Sequence, residues 1–317
     1  MKKLVLSLLL AVMPLALFGA SGTAIPGGNQ AASFIINKPG AYYLAANRVM
    51  TTKGKPAIHI QAPDVTLDLN GYVLSFVDIE GAGNGIIVEG SNAEIRNGSI
   101  STVPYTAVFV ASGQAGVRII DLRVADSGGI KTNGNATWIE RCHIIDSRGF
   151  GVEMGGWENV LKDCHIKNVQ PNAINIGGYG VSVSRLGKVS GNIIGHTYSY
   201  GILCMGSYAV LNDNQVSEAN LSKSTAAAGI VVEGDCVYLG GNVVHESYGM
   251  GIKLSGAAAS CIVEKNVVCT TRATGPLIGA GIVSQTNSTI LRGNLGTGNA
   301  GGLTAGTFID GDNNLGN

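Results

Sequence analysis

The sequence predicts an all-β solenoid, a single chain wound into stacked coils of short strands. Three observations predict it. A small residue followed by Ile or Val returns every 22 residues at Gly85-Ile86, Ala107-Val108, Gly129-Ile130, Gly151-Val152 and Ala173-Ile174. The series continues at Gly201-Ile202, Gly229-Ile230, Gly251-Ile252 and Gly281-Ile282, with steps of 28, 28, 22 and 30, read as one period with or without an insertion. A second column runs in phase with it: Gly98, Leu122, Cys142, Cys164, Asn192, Asn214, Asn242, Asn266 and Asn294. Finally, β-branched residues alternate between Gly, Asn and Ser turns, with no sustained helical period. One such coil cannot bury its own apolar face, whereas stacked coils can.

Taken from the N-terminus, the first element is a leader. Lys2 and Lys3 precede an apolar run from Leu4 to Phe18, and small residues follow. That pattern reads as a signal peptide over 1–24, cleaved within Ala20–Ala24. No cysteine lies at the cleavage zone, which argues against a lipoprotein, and no other run is long enough to span a bilayer. Export places the protein in the periplasm, at the cell surface or outside the cell. It also makes disulfides possible among Cys142, Cys164, Cys204, Cys236, Cys261 and Cys269. Residues 25–56 are read as an N-terminal cap that covers the first rung. The coils occupy 57–300, about ten of them at about 22 residues each. The Gly-rich stretch 301–317 is read as a partial last coil and a loose tail.

Within a coil, Ile86/Val88, Val152/Met154, Ile174/Ile176 and Ile252/Leu254 are the expected inward pairs. The asparagines of the second column are expected to form a ladder, each amide bonding to the next rung. Cys142 and Cys164 occupy the same slot two coils earlier. The repeated Cys-His pairs, Cys142-His143 and Cys164-His165, are therefore first a repeat. Cysteine and histidine alternate to opposite sides of the strand, so the four cannot converge on one zinc. Stacked Cys142 and Cys164 are close enough for a disulfide instead.

Composition narrows the functional classes. Charged residues make up 13% of the 317, hydrophobic residues 45%, and the formal net charge is zero. The chain is too apolar for disorder and has no electrostatic footprint for nucleic acid.

The repeat resembles the right-handed parallel β-helix proteins of the pectate-lyase-like superfamily, over about residues 57–300. The segment 39–75, "PGAYYLAANRVM" with "AIHIQAPDVTLDLNGYVLS", is similar to the start of such helices in secreted bacterial proteins. The resemblance implies a single-stranded right-handed parallel β-helix, and it speaks weakly to function. Its members include pectate lyases, polygalacturonases, mannuronan epimerases, phage tailspikes and non-catalytic surface proteins. The polygalacturonase segments Asn-Thr-Asp, Asp-Asp, Gly-His-Gly and Arg-Ile-Lys do not occur; Gly195-His196-Thr197 is the nearest. "WIERC" (138–142) is similar to the Trp-Ile-Asp-His-Cys stretch of pectate lyases, whose Asp binds calcium. Here Glu140 and Arg141 replace Asp and His, and Lys162 follows Glu140 on the next coil. Calcium prefers several oxygen ligands, so its support is weak. No cofactor is expected, and no metal ligands are assigned.

Three surface patterns carry the candidate chemistry. The outward row reads Ile87, Phe109, Lys131, Glu153, Asn175, Leu203, Val231, Lys253 and Val283. In it Lys131, Glu153 and Asn175 form three polar rungs suited to binding an acidic sugar. A second row is Arg123, His143 and His165. The third pattern is a corner where insertions within 217–228 and 269–280 flank the shorter turn 243–250, with 193–200 one coil before them. It gathers His196, Tyr198, Tyr200, His245, Glu246, Tyr248 and Arg272. There His245, His196 and Glu246 are candidates for proton transfer and Arg272 for neutralising a uronate. Tyr198, Tyr200 and Tyr248 offer flat faces to sugar rings.

The expected function is an exported protein that binds an acidic polysaccharide, with processing of lyase or epimerase type. The alternative is a non-catalytic surface or structural protein for carbohydrate binding or adhesion. A third version associates through the apolar outward row at Leu203 and Val231. Catalysis and oligomeric state are left open by the sequence.

Overall fold

The turns of the chain are laid down as short strands on three faces, and up to the last turn each strand hydrogen-bonds to its counterpart one turn later. The computed structural model describes residues 22–77, 83–171, 178–273 and 279–316. Its regular elements are strands, and it forms about 11 turns of about 24 residues. Among the described residues no helix is long and apolar enough to cross a membrane.

One coil shows the plan. Phe150–Met154 belongs to a first sheet, Val160–Lys162 to a second and His165–Gln170 to a third. They pair in parallel with Tyr179–Val183, Lys188–Ser190 and Ile193–Thr197 of the next coil. Parallel pairing leaves no tight hairpin, so each connection turns a corner and advances one rung. Alternate side chains point inward and form one continuous core. Val152, Met154, Leu161, Ile166, Val181 and Ile194 are all essentially inaccessible. Each such aliphatic side chain contributes about 1.5–3 kcal/mol through burial.

The corner between the second and third sheets is built on left-handed backbone. Asn97, Asp121, Arg141, Asp163, Asp213 and Lys265 all have φ between 51° and 58°. Gly191, Gly241 and Gly293 take the same slot on other rungs. The residue after each turns inward and forms the second column. In that column Asn192, Asn214, Asn242, Asn266 and Asn294 make the expected ladder. Each Nδ2 donates to the next Oδ1 at 2.9–3.0 Å, and the series ends on Asn314. Cys142 and Cys164 continue the column as free thiols. The Cys142 N–H donates to Cys164 Sγ at 3.4 Å, and the Cys164 N–H donates to Asn192 Oδ1 at 2.9 Å. The side-chain contact with the Cys142 thiol, followed by burial, holds the Cys164 thiol well above the ordinary range, while the Cys142 N–H acts the other way.

The register differs from the sequence reading in one place. Glu153 stands opposite Ser182, and Val152 opposite Val181. The small-Val step after Gly151-Val152 is therefore Gly180-Val181. Asn175, Ile174 and Ile176 lie outside the described residues. Both dipeptides satisfy the pattern, and only stacking chooses between them.

Rungs also begin earlier than residue 57. Thr23–Ile25, Gly28–Gln30 and Phe34–Ile36 already pair with the coil that follows. Arg48, with 1% exposure, stitches this end together. It donates to the carbonyls of Pro26 (2.8 Å), Ala32 (2.9 Å) and Ala57 (3.3 Å). At the other end Thr304–Asp310 pairs with Ile282–Arg292.

The apolar outward row is not an open association face. Leu203 and Val231 are 8% and 2% exposed, enclosed with Ala228 and Met250 and flanked by Tyr200 and Val283. Lys253 Nζ reaches the Ala226 carbonyl at 3.4 Å.

Candidate functional site

The first sheet presents one polar cluster. Lys131 and Glu153 occupy directly opposed outward positions on adjacent rungs. Lys131 Nζ lies 2.8 Å from Glu153 Oε1, with the side chains 24% and 23% exposed. The Tyr179 hydroxyl donates to Glu153 Oε2 at 3.4 Å. Phe150, directly opposite Tyr179, stacks on it with ring centroids 6.4 Å apart and planes at 21°. Lys131 Nζ also sits 5.9 Å from the Phe150 centroid. Burial, and then the Glu153 carboxylate, push the Tyr179 phenol up to about 12. At neutral pH Tyr179 is thus a proton donor, beside a carboxylate and an ammonium group. Phe150, Tyr179 and Ser182 were not singled out by the sequence reading. The register error hid them, since Tyr179 lies three residues before Ser182 as Phe150 lies three before Glu153.

The corner residues separate into smaller groups. His196, Glu218 and Glu246 follow one another on successive rungs, each with φ between 48° and 57°. His196 Nδ1 meets Glu218 Oε2 at 3.1 Å. Arg272 pairs with Glu246 at 3.1 Å and donates to the Tyr248 hydroxyl at 3.2 Å. Its guanidinium and the Lys223 ammonium both lie over the Tyr248 ring, at 5.4 and 5.3 Å. Tyr248 and Glu246 together hold Arg272 above its ordinary range. His245 meets Gln215 at 3.3 Å, on the strand face beside this group. Tyr200 packs on the enclosed apolar cluster, and burial raises its phenol. Tyr198 lies against Gly178, where an added Cβ would come within 2.8 Å of the Tyr198 Cβ. The structure therefore joins Glu246, Tyr248 and Arg272, joins His196 to the unforeseen Glu218, and leaves His245 and Tyr200 with other partners. The charges of this corner are exposed and mutually paired, which gives each little energy.

On the third sheet His143 and His165 stack with centroids 4.9 Å apart. Burial first, then the charges of His165 and Arg123, lower His143. Among the described residues no group of three or more His, Cys, Asp or Glu could hold a metal ion. Glu140 is surrounded by donors rather than by further carboxylates. It takes Trp138 Nε1 at 2.9 Å, Arg141 at 3.0 Å and Lys162 at 3.6 Å. Two hollows at the C-terminal end are lined by Val267, Leu295 and Leu315, and by Glu264, Lys265 and Arg292. Neither hollow contains a candidate residue.

The sequence matches the family described as the right handed beta helix region over residues 59–210 and 106–268. No curated protein gives a match. Solved structures similar in fold include the Dettilon tailspike protein, with TM-score 0.61 and 15% identity over 92% of this chain. The chain spans 60% of that tailspike's length. The A-module of the Azotobacter vinelandii mannuronan C-5 epimerase AlgE6 gives TM-score 0.61 at 12% identity, covering 93% of this chain and 90% of its own. The Agl-KA catalytic domain gives 0.58 at 12% identity, covering 92% of this chain and 61% of its own.

Proposed function

Because the chain belongs to the right-handed β-helix family, we propose that it is an exported protein whose first-sheet face binds an acidic polysaccharide. The observation that carries this reading is the Lys131–Glu153–Tyr179 cluster, half-buried on the sheet face above Phe150. An ammonium group can neutralise a uronate carboxylate, a phenol can donate to a ring oxygen, and an aromatic face suits a sugar ring. Proteins of similar fold include one named as a mannuronan epimerase, and the analogy of fold favours a uronate ligand.

Lyase and epimerase reactions both begin by removing a proton next to a carboxylate. The cluster holds an acceptor in Glu153, a donor in Tyr179 and a cation in Lys131. A non-catalytic binding role is the second reading. It is favoured by the partners of Glu153, since Lys131 at 2.8 Å and the Tyr179 hydroxyl at 3.4 Å already occupy the carboxylate that would have to accept the proton.

The test uses protein beginning at about residue 25, following the leader reading, incubated with uronic-acid and neutral polysaccharides, with calcium and with chelator. Unsaturated ends establish a lyase, and a change in uronate composition without cleavage establishes an epimerase. Binding without either establishes the second reading. Failure of every acidic polymer to bind overturns the proposal.

A further inference from the structure

The turns that leave the first sheet on three successive coils carry three side chains absent from all three candidate patterns. Trp157 and Tyr208 are 56% and 53% exposed. Between them stands Arg185, its guanidinium carbon 5.7 Å from the Trp157 ring centroid and 5.8 Å from that of Tyr208. The register Val160–Lys188–Val210 places the three residues on three consecutive rungs. Trp157 and Tyr208 are thus two rungs apart, about 10 Å.

The backbone under them is fixed. The Trp157 N–H donates to Asn135 Oδ1 at 3.0 Å, and the Trp157 carbonyl accepts from Ala136 at 2.8 Å. The Arg185 carbonyl accepts from Glu158 at 3.3 Å, and the Tyr208 N–H donates to Asp235 at 2.9 Å. Gly156 and Gly206 let the rungs close here: a Cβ on either would lie 1.9–2.0 Å from the neighbouring backbone. Three flat groups are therefore held out from a rigid turn, which lowers the entropy lost on binding.

No carboxylate among the described residues pairs with Arg185, in contrast to Arg96, Arg118, Arg141, Arg148, Arg272 and Arg292. Contact with aromatic rings leaves a guanidinium's in-plane N–H groups free for a planar anion. Exposed indole and phenol rings meanwhile suit the C–H face of a pyranose. We infer that Trp157, Arg185 and Tyr208 form a subsite for one uronate residue of an acidic oligosaccharide, with the carboxylate on Arg185 and a sugar ring on Trp157. The inference rests on the proposed polysaccharide-binding function. It extends the binding face from Lys131 and Glu153 across the sheet edge, since Trp157 follows Glu153 on the same coil.

The chain has two tryptophans, so a Trp138→Phe background makes emission report Trp157. Alginate and galacturonate hexamers are titrated against maltohexaose. The expected result is a saturable emission change with the acidic hexamers and none with the neutral one. Calorimetry is expected to show at least tenfold weaker binding for Arg185→Gln and Trp157→Ala, with partial recovery for Arg185→Lys. Unchanged thermal melts would confirm that these variants fold. Binding that survives Arg185→Gln and Trp157→Ala within twofold, yet is lost in Lys131→Ala, overturns the subsite and leaves the proposed function standing. Equal binding of neutral hexamers, unaffected by Arg185→Gln, overturns the anionic assignment. Absence of any acidic hexamer binding overturns the proposed function and the subsite with it.

Discussion

Asn192 donates from Nδ2 to Asn214 Oδ1 at 2.9 Å across one rung, and both side chains are essentially fully buried. The same acceptor takes the Asn192 backbone N–H at 3.1 Å. Each ladder asparagine after Asn192 therefore serves two donors of the coil before it, while its own amide bonds the next rung and a carbonyl behind it. Within the ladder no water is needed, because its side-chain amides are matched by the repeat itself.

Asn242→Ala is expected to cost about 3 kcal/mol, because it leaves two buried donors without an acceptor. Those donors are the Asn214 N–H and Nδ2, now held at 3.1 and 3.0 Å. The measurement is the urea midpoint. A loss well below 1 kcal/mol would mean that the neighbouring rungs can close over the gap.

Glu153→Gln is expected to lower the Tyr179 phenol from about 12 without returning it to 10.0, since burial is the larger cause of its rise. The folded value lies above the unfolded one. The associated stability is thus complete below pH 10 and lost as pH rises through about 12. Carbon NMR of ring-labelled tyrosine, assigned with Tyr179→Phe, follows the titration. No shift on removing the charge would show that Glu153 does not sense the phenol.

Arg272→Ala is expected to change stability by less than about 1 kcal/mol, because its partners are exposed. Side-chain exposures of 45% for Arg272 and 40% for Glu246 place the pair in solvent. Acidic-polysaccharide affinity should stay within about twofold, less than the tenfold that 1.4 kcal/mol represents. A larger loss in calorimetry would return the binding site to the corner of Glu246 and Tyr248.

His165→Asn is expected to raise the His143 titration only part of the way to 6.5, because burial is the largest cause of its depression and His165 the second. The folded value lies below the unfolded one. His143 therefore contributes stability that is present above pH 6.5 and lost as pH falls through its lower folded value. Proton NMR of the imidazole Cε1–H reports both the shift and its sign. A full return to 6.5 would make the histidine stack, rather than burial, the dominant cause.

The sequence by itself determined the coil, the inward pairs Ile86/Val88, Val152/Met154 and Ile252/Leu254, and the asparagine ladder. Those features are written locally: a strand alternates with period two, and a repeat places like residues in like slots. Asn192 through Asn294 could be aligned by counting alone. What tertiary structure decided was how neighbouring coils meet. Ala173-Ile174 and Gly180-Val181 carry the same local pattern, and only the stacking of Val152 on Val181 set Ser182 beside Glu153. That choice brought Tyr179 to Glu153. It likewise took folding to enclose Leu203 and Val231, whose exposure no outward parity could settle. Trp157, Arg185 and Tyr208 were invisible for the same reason. They come from three different coils, in turns without regular alternation, and their meeting depends on where each turn closes over the rung below.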